Sequence, residues 1–287
     1  MIDQSIEEVE PNIFSDIDLV FHLASISGEA VSLFAPSACF NRNVVAAHNL
    51  LLNSLRFGVK RIIFTSSMAV YGNRILPPFS EDDLCDPTDP YGLSKFTIEK
   101  LLQIYGEHGD LEWTILRPHN VYGPNMNLAD PYRGVVSIFL NRLLRGKPPI
   151  LYGGGNQLRA FTYVDDIVPC IVRAGFSKEC NRQIVNLGSG KKTQLLDLAK
   201  ILCELTGYTK EPIYLPPRPG EAKNAYTTTD KSERLLRFVD KTSLCDGLLL
   251  TLEWARKQEI SNFNYGLMDM QLNLNGTLPT PWKDHIL

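Results

Sequence analysis

Continuous apolar runs that alternate with helical patterns constrain this chain more than any other feature. Residues 17–24, 61–66 and 113–116 read as strands. Between the first two, residues 36–57 carry apolar side chains at helical spacing (Val44, Ala47, Leu50, Leu51, Leu55), and Gly58 stops the helix. A second helix is expected over about 89–105. Strands that are apolar throughout are covered on both faces, so they belong to a parallel sheet with helices on each side. Right-handed crossovers then give a doubly wound α/β fold. The second half is more mixed. Helical patterns run over about 132–145, 165–176, 194–206 and 244–257, and short strands are expected at 150–152, 161–164, 184–187 and 213–215. Pro216, Pro217 and Pro219 make residues 215–220 a loop. Beyond about residue 259 the Asn-rich sequence predicts a loose polar tail.

Composition excludes several classes. Of 287 residues 44% are apolar and 21% charged, too apolar for a disordered chain. Lys plus Arg is 29 against 32 for Asp plus Glu, a net charge of −3 that gives no basis for a chain-wide role on nucleic acid or an anionic membrane. The six cysteines are scattered and none stands beside a His at zinc-ligand spacing, so reduced thiols, no metal site and a cytoplasmic location are expected. No run approaches the ~18 apolar residues of a membrane span. The first dozen residues are acidic where a signal peptide is basic and then apolar.

The chemistry is carried by Tyr91-Gly92-Leu93-Ser94-Lys95. Tyr and Lys four apart share one face of a helix. An ammonium beside a phenol favours the phenolate and so lowers its pKa from about 10. Such a Tyr can exchange a proton near neutral pH. YxxxK alone recurs by chance. Here Thr65-Ser66-Ser67 precedes it, directly after an apolar strand and 24 residues before Tyr91. The carboxyl end of such a strand is where open α/β sheets bind ligands. A Ser67 hydroxyl there can hydrogen-bond a substrate oxygen.

Together with further motifs, these residues resemble the extended short-chain dehydrogenase/reductase superfamily, in its NAD-dependent nucleotide-sugar epimerase and dehydratase branch. The landmarks run in order from about Asp18 to Arg237: Asp18 to Ala24, Phe40-Asn41-Arg42-Asn43-Val44, Ser66 to Gly72, the Arg117-Pro118-His119-Asn120-Val121-Tyr122-Gly123-Pro124 loop, Arg159 to Asp166 (with Ala160 where an Asp is usual), Asn186 to Gly190, and Arg218-Pro219-Gly220-Glu221. The resemblance implies a Rossmann-like NAD domain over 1–125 with returning segments at about 149–187, a substrate lobe mostly within 126–259, and a tail at 260–287. It implies Ser67, Tyr91 and Lys95 as the catalytic trio. Leu23, Ala24, Ser25, Asn43, Ser66, Tyr91, Lys95 and Pro118 would meet NAD. Ser67, Asn120, Arg159 and Arg218 would hold a nucleotide-diphosphate sugar, since guanidinium groups suit bidentate phosphate contacts. His22 and His119 read as structural. A homodimer is expected through residues about 89–105 and 36–57.

Within the family, dehydratases place Asp-Glu directly after the catalytic hydroxyl. Met68-Ala69 stands there instead, so the pattern looks most like UDP-glucose 4-epimerase and its relatives. Ala225 falls near the family's sugar-size gate, which implies room for an N-acetylated sugar. Tyr226 is adjacent, so a one-residue slip reverses that inference. The family's first strand and Gly-rich turn, which hold the pyrophosphate, have no counterpart before Asp18. Neither Gly153-Gly154-Gly155 nor the stretch from Gly188 to Thr193 replaces them. Met1-Ile2-Asp3 resembles the end of a further strand. The chain as given is therefore expected to bind NAD weakly or not at all and to expose an apolar sheet edge. It would be an incomplete copy of an epimerase, a degenerate non-catalytic nucleotide-sugar-binding protein, another branch of the family (dehydratase, reductase), or an interaction protein whose edge another chain completes. The retained Ser67, Tyr91 and Lys95 favour the first.

Overall fold

The computed structural model describes Ile6 and residues 8–287, so the strand end expected at Met1-Ile2-Asp3 lies outside the described residues. Strands β1 (Leu19–His22), β2 (Arg61–Thr65) and β3 (Glu112–Pro118) run parallel, with Leu19 opposite Arg61 and Ile62 opposite Trp113. After the short strands β4 (Val121–Tyr122), β5 (Ile150–Tyr152), β6 (Leu158–Ala160) and β7 (Thr162–Tyr163), strand β8 (Gln183–Leu187) returns beside β3. The sheet order is β1-β2-β3-β8, all parallel, as the apolar runs require.

The helices of the first half are α1 (Glu29–Ser32), α2 (Pro36–Phe40), α3 (Ala46–Arg56) and α4 (Pro90–His108). The single helix expected over 36–57 is α2 and α3 joined by a wider π turn at Asn41–Val45. Alternation along the strands sorts the core. Ile62, Phe64 and Ile115 face Leu50, Leu51, Ile98 and Leu102 of α3 and α4. Ile63 and Leu116 face the other way, against Ile167 and Ala174 of α6 (Val164–Phe176), which follows α5 (Val135–Leu144). Each such side chain contributes about 1.5–3 kcal/mol when fully buried. β1 is an edge of the described sheet, and Val168, Val172 and Phe176 form an exposed stripe along α6.

A second core lies between α5, α7 (Leu195–Thr206) and α9 (Leu244–Ala255), the latter preceded by α8 (Asp230–Leu236). Beside it, β9 (Lys192–Gln194) pairs antiparallel with β6, β10 (Ile213–Leu215) parallel with β5, and β11 (Asn224–Ala225) parallel with β6.

The segment after residue 259 differs from the expected loose tail. Phe263, Met268, Trp282 and Leu287 are buried with Ile26, Val31, Phe34 and Tyr132. Trp282 donates its indole N–H to the Pro131 carbonyl at 3.1 Å and meets Phe34 edge-on at 6.1 Å. Its apolar residues are sparse and irregularly spaced, so no period announced them.

Candidate active site

Tyr91 and Lys95 project from the first turns of α4, and local chemistry fixes where that helix starts. Asp89 caps it, accepting the Gly92 N–H at 2.9 Å, and Pro90 occupies the first turn, where its missing N–H costs nothing. The Tyr91 N–H donates to the Ser32 hydroxyl at 3.1 Å, which ties α4 to α1. Gly92 allows close approach, because a Cβ there would lie 2.6 Å from the Ala69 carbonyl oxygen. Ser67 lies two residues beyond β2 and caps the short turn Met68–Tyr71, its Oγ accepting the Ala69 N–H at 3.2 Å. The trio spread over 29 residues of sequence is thus brought to one point at the carboxyl edge of the sheet.

The electrostatics there differ from the simple expectation. Burial raises the Tyr91 pKa well above that of an ordinary phenol. The hydrogen bond with Ser67 opposes this, while Glu29, Asp89 and Cys39 reinforce it. Burial also lowers Lys95 to about 7, with Cys39 and Glu99 acting against the shift. The Lys95 Nζ donates to the Thr65 carbonyl at 2.8 Å and stands 5.9 Å from the Tyr91 ring centre. In a dry site both groups favour their neutral forms, and this outweighs the expected pull of the ammonium on the phenol.

Behind the trio lies a buried polar network. Ser66 donates to Glu99, one turn beyond Lys95. Glu99 accepts two bonds from Arg117 at 3.0 and 2.7 Å, and Arg117 donates to the Tyr71 hydroxyl at 2.8 Å. Glu99 and Arg117 are almost fully excluded from solvent. They lock α4 to β2 and β3. Arg117 stands in a recognised motif without an assigned role, and Glu99 was not singled out, its four-residue spacing from Lys95 being the one signal that could have found it.

These groups open into a cleft of about 560 Å³. Leu23, Ser25, Ser66, Ser67, Tyr91, Lys95 and Pro118 line one end of it, at the carboxyl ends of β1, β2 and β3. Asn120, Arg159 and Arg218 line it as well. Arg159 is buried and donates to the Ala222 carbonyl at 2.6 Å. Arg218 forms a two-pronged pair with Glu221 at 3.2 and 3.0 Å and stacks over Tyr152 at 4.5 Å. Asn120 donates to the Ala160 carbonyl at 3.0 Å. Two guanidinium groups in a concave site suit a diphosphate.

Three other expectations are revised. Asn43 does not line the cleft. Its Oδ1 accepts the Ile26 N–H at 2.7 Å and its Nδ2 donates to the Ile26 carbonyl at 2.7 Å and to Ser94 at 3.1 Å. A buried amide must satisfy its own donors and acceptor, and Asn43 does so by holding the segment after β1. Ala24 is exposed and also lies outside the lining. Ala225 is buried in the cluster of Met68, Val70 and Phe79, and neither it nor Tyr226 lines the cleft, so the inferred gate is not at the cleft surface. Glu29 lines the cleft but was not singled out from the sequence. His22 and His119 are buried; His22 is held near 4 by burial and by Lys95, whereas His119 lines the cleft with its Nε2 2.9 Å from the Ser189 carbonyl.

The residues around Leu23, Ser25, Ser66, Lys95 and Pro118 fit the nicotinamide ribose end of NAD, since they form a partly open cradle beside the buried, hydrogen-bonded Lys95 amine. Gly153–Gly155 forms a turn between β5 and β6 and opens no helix. No helix among the described residues is long and apolar enough to cross a membrane.

Comparison with known proteins identifies the family and the fold. The model of the NAD dependent epimerase/dehydratase family matches residues 6–188. A putative UDP-glucose 4-epimerase of Methanocaldococcus jannaschii is 33% identical over 244 residues, covering 85% of this chain and 78% of that relative. The UDP-glucose 4-epimerase of Mycolicibacterium smegmatis is 32% identical over 84% of this chain and 77% of its own length. Among solved structures, the UDP-glucose 4-epimerase of Thermotoga maritima with UDP-glucose superposes with a TM-score of 0.83 at 35% identity, over 89% of this chain and 84% of that one. The Thermus thermophilus UDP-glucose 4-epimerase complex with NAD gives 0.77 at 30% identity, over 85% and 79%.

Proposed function

This chain belongs to the NAD dependent epimerase/dehydratase family, and from that premise we propose that it is a 4-epimerase of UDP-hexoses. The observation that carries the proposal is the convergence of Ser67, Tyr91 and Lys95 with Arg159 and Arg218 in one cleft. When bound, NAD supplies the acceptor for hydride from sugar C4 and returns it. Acting from the phenolate form, which burial disfavours, Tyr91 takes the C4 hydroxyl proton as the carbinol is oxidised to a ketone, and gives it back when the sugar is reduced from the opposite face. Ser67 hydrogen-bonds the same oxygen. Lys95 binds the nicotinamide ribose. Arg159 and Arg218 grip the diphosphate, with Asn120 beside them. Met68 and the buried Ala69 offer no acid or base to eliminate water, which argues against dehydration.

A homodimer through the face of α2 to α4 accompanies this proposal. It is supported by exposed Phe40, Leu52, Leu93 and Ile104 on those helices.

The test is interconversion of UDP-glucose and UDP-galactose by the purified full chain supplied with NAD. Tyr91→Phe, which removes only the proton-carrying oxygen, should lower kcat by about 10²–10⁴. Undiminished turnover by that variant would sink the assignment of Tyr91.

A further inference from the structure

Glu29 opens the short helix α1 and lines the same cleft as Ser67, Tyr91, Arg159 and Arg218. No ion pair among the described residues includes it, whereas the neighbouring carboxylate Glu221 is paired with Arg218. The lining it shares holds both ends of the proposed substrate site: Tyr91 with Ser67 at the reacting end, and Arg159, Arg218 and Glu221 at the diphosphate end. A sugar ring joined to a diphosphate held by the two arginines, with C4 at Tyr91, must pass between these ends. The ring therefore runs past Glu29. This deepens the epimerase proposal and rests on it.

We infer that Glu29 is a specificity-determining residue: its carboxylate accepts hydrogen bonds from hydroxyl groups of a neutral hexose and rejects a hexuronate, whose own carboxylate would be placed against it. A carboxylate accepts but does not donate, so it suits hydroxyls. Two like charges brought together in a dry cleft are costly. Lys95 is directed at Thr65 and Arg218 is engaged with Glu221, while Arg159, the strongest opposing charge, is the group the epimerase proposal commits to the diphosphate. The same placement implies a pH dependence. Glu29 is raised to about 7, first by burial and then by Asp89, with Arg159 and Arg218 opposing and Glu221 reinforcing. Glu29 is therefore ionised above that pH and neutral below it. Discrimination against the uronate should grow as pH rises through about 7.

The test compares equilibrium binding of UDP-glucose and UDP-glucuronate by calorimetry, using the full chain loaded with NAD, at about pH 6 and about pH 8. Wild type should prefer UDP-glucose, more strongly at the higher pH. Glu29→Gln, which keeps the shape and removes the charge, should reduce the Kd ratio by about tenfold at pH 8, the factor one pK unit represents, and flatten its pH dependence. Glu29→Asp should restore most of the preference. An unchanged ratio in Glu29→Gln, or equal binding of the two ligands by wild type, would overturn the inference. Epimerisation of UDP-glucose is followed in parallel. Binding discrimination without turnover would defeat the epimerase assignment and leave Glu29 standing, whereas turnover with an unchanged ratio would do the reverse.

Discussion

At the scale of single residues, the site uses burial to hold ionisable groups away from their ordinary charge states. Lys95 is the sharpest case. Its pKa of about 7 in the fold lies below the ordinary lysine value of 10.5. Below about 7 the folded protein carries a buried ammonium, a penalty the unfolded chain does not share. Between the two values the unfolded chain holds a proton that the fold has released, so rising pH relieves the penalty. Lys95→Met should therefore be more stable than wild type at about pH 6 and lose that advantage progressively between about pH 7 and about pH 10, each pK unit being worth about 1.4 kcal/mol. It should also be inactive, an exchange of function for stability. Denaturant titrations of both proteins across that range check this, and a variant less stable than wild type at about pH 6 would refute it. The residue type and spacing of Tyr91 and Lys95 were legible because both lie within one helical turn of sequence. Glu29 was not. Its partners lie at positions 89, 91, 159, 218 and 221, and only the folded chain brings them together.

At the scale of elements, α4 is the part on which the site depends. Its cap at Asp89, its approach to the Ser67 turn at Gly92, and its Glu99–Arg117 pair each fix one degree of freedom of the helix relative to the sheet. The apolar strands and the long helices were readable because burial on one or both faces imposes a period. The short pieces were not. β11 spans two residues and α8 seven, too few for a period, and the position of Ala225 behind the cleft depends on β11 pairing with β6. Gly92→Ala tests the close approach directly. The added methyl would meet the Ala69 carbonyl oxygen at 2.6 Å and displace α4 from the Ser67 turn. Overpacking of this kind costs about 1–3 kcal/mol. A shift of about 1 Å between reacting groups lowers turnover about 10²-fold. A thermal melt and an epimerase assay should both register the change, and full activity in this variant would show that the approach of α4 is not what aligns Tyr91 with Ser67.

At the scale of the whole molecule, the C-terminal segment closes the structure instead of trailing from it. Its buried residues pack on Ile26, Val31 and Phe34, which follow β1, and on Tyr132 and Ile150, which lead into and out of α5. The segment therefore clamps the sheet domain to the lobe that supplies Tyr132, Arg159 and Arg218 to the cleft. Trp282 is the centre of the clamp: 2% exposed, 5.5 Å from the Tyr132 ring and 5.7 Å from the Arg218 guanidinium. Trp282→Ala should cost about 3–5 kcal/mol through the cavity it leaves. At about 2–4 °C per kcal/mol for a chain of this order of size, the midpoint of thermal unfolding should fall by about 6 °C or more. Arg218 loses one of its two stacking partners, so KM for the nucleotide sugar should rise more than kcat falls. A loose tail would give neither effect. An unaltered melting temperature in Trp282→Ala would mean that the last residues do not hold the two halves of the cleft together.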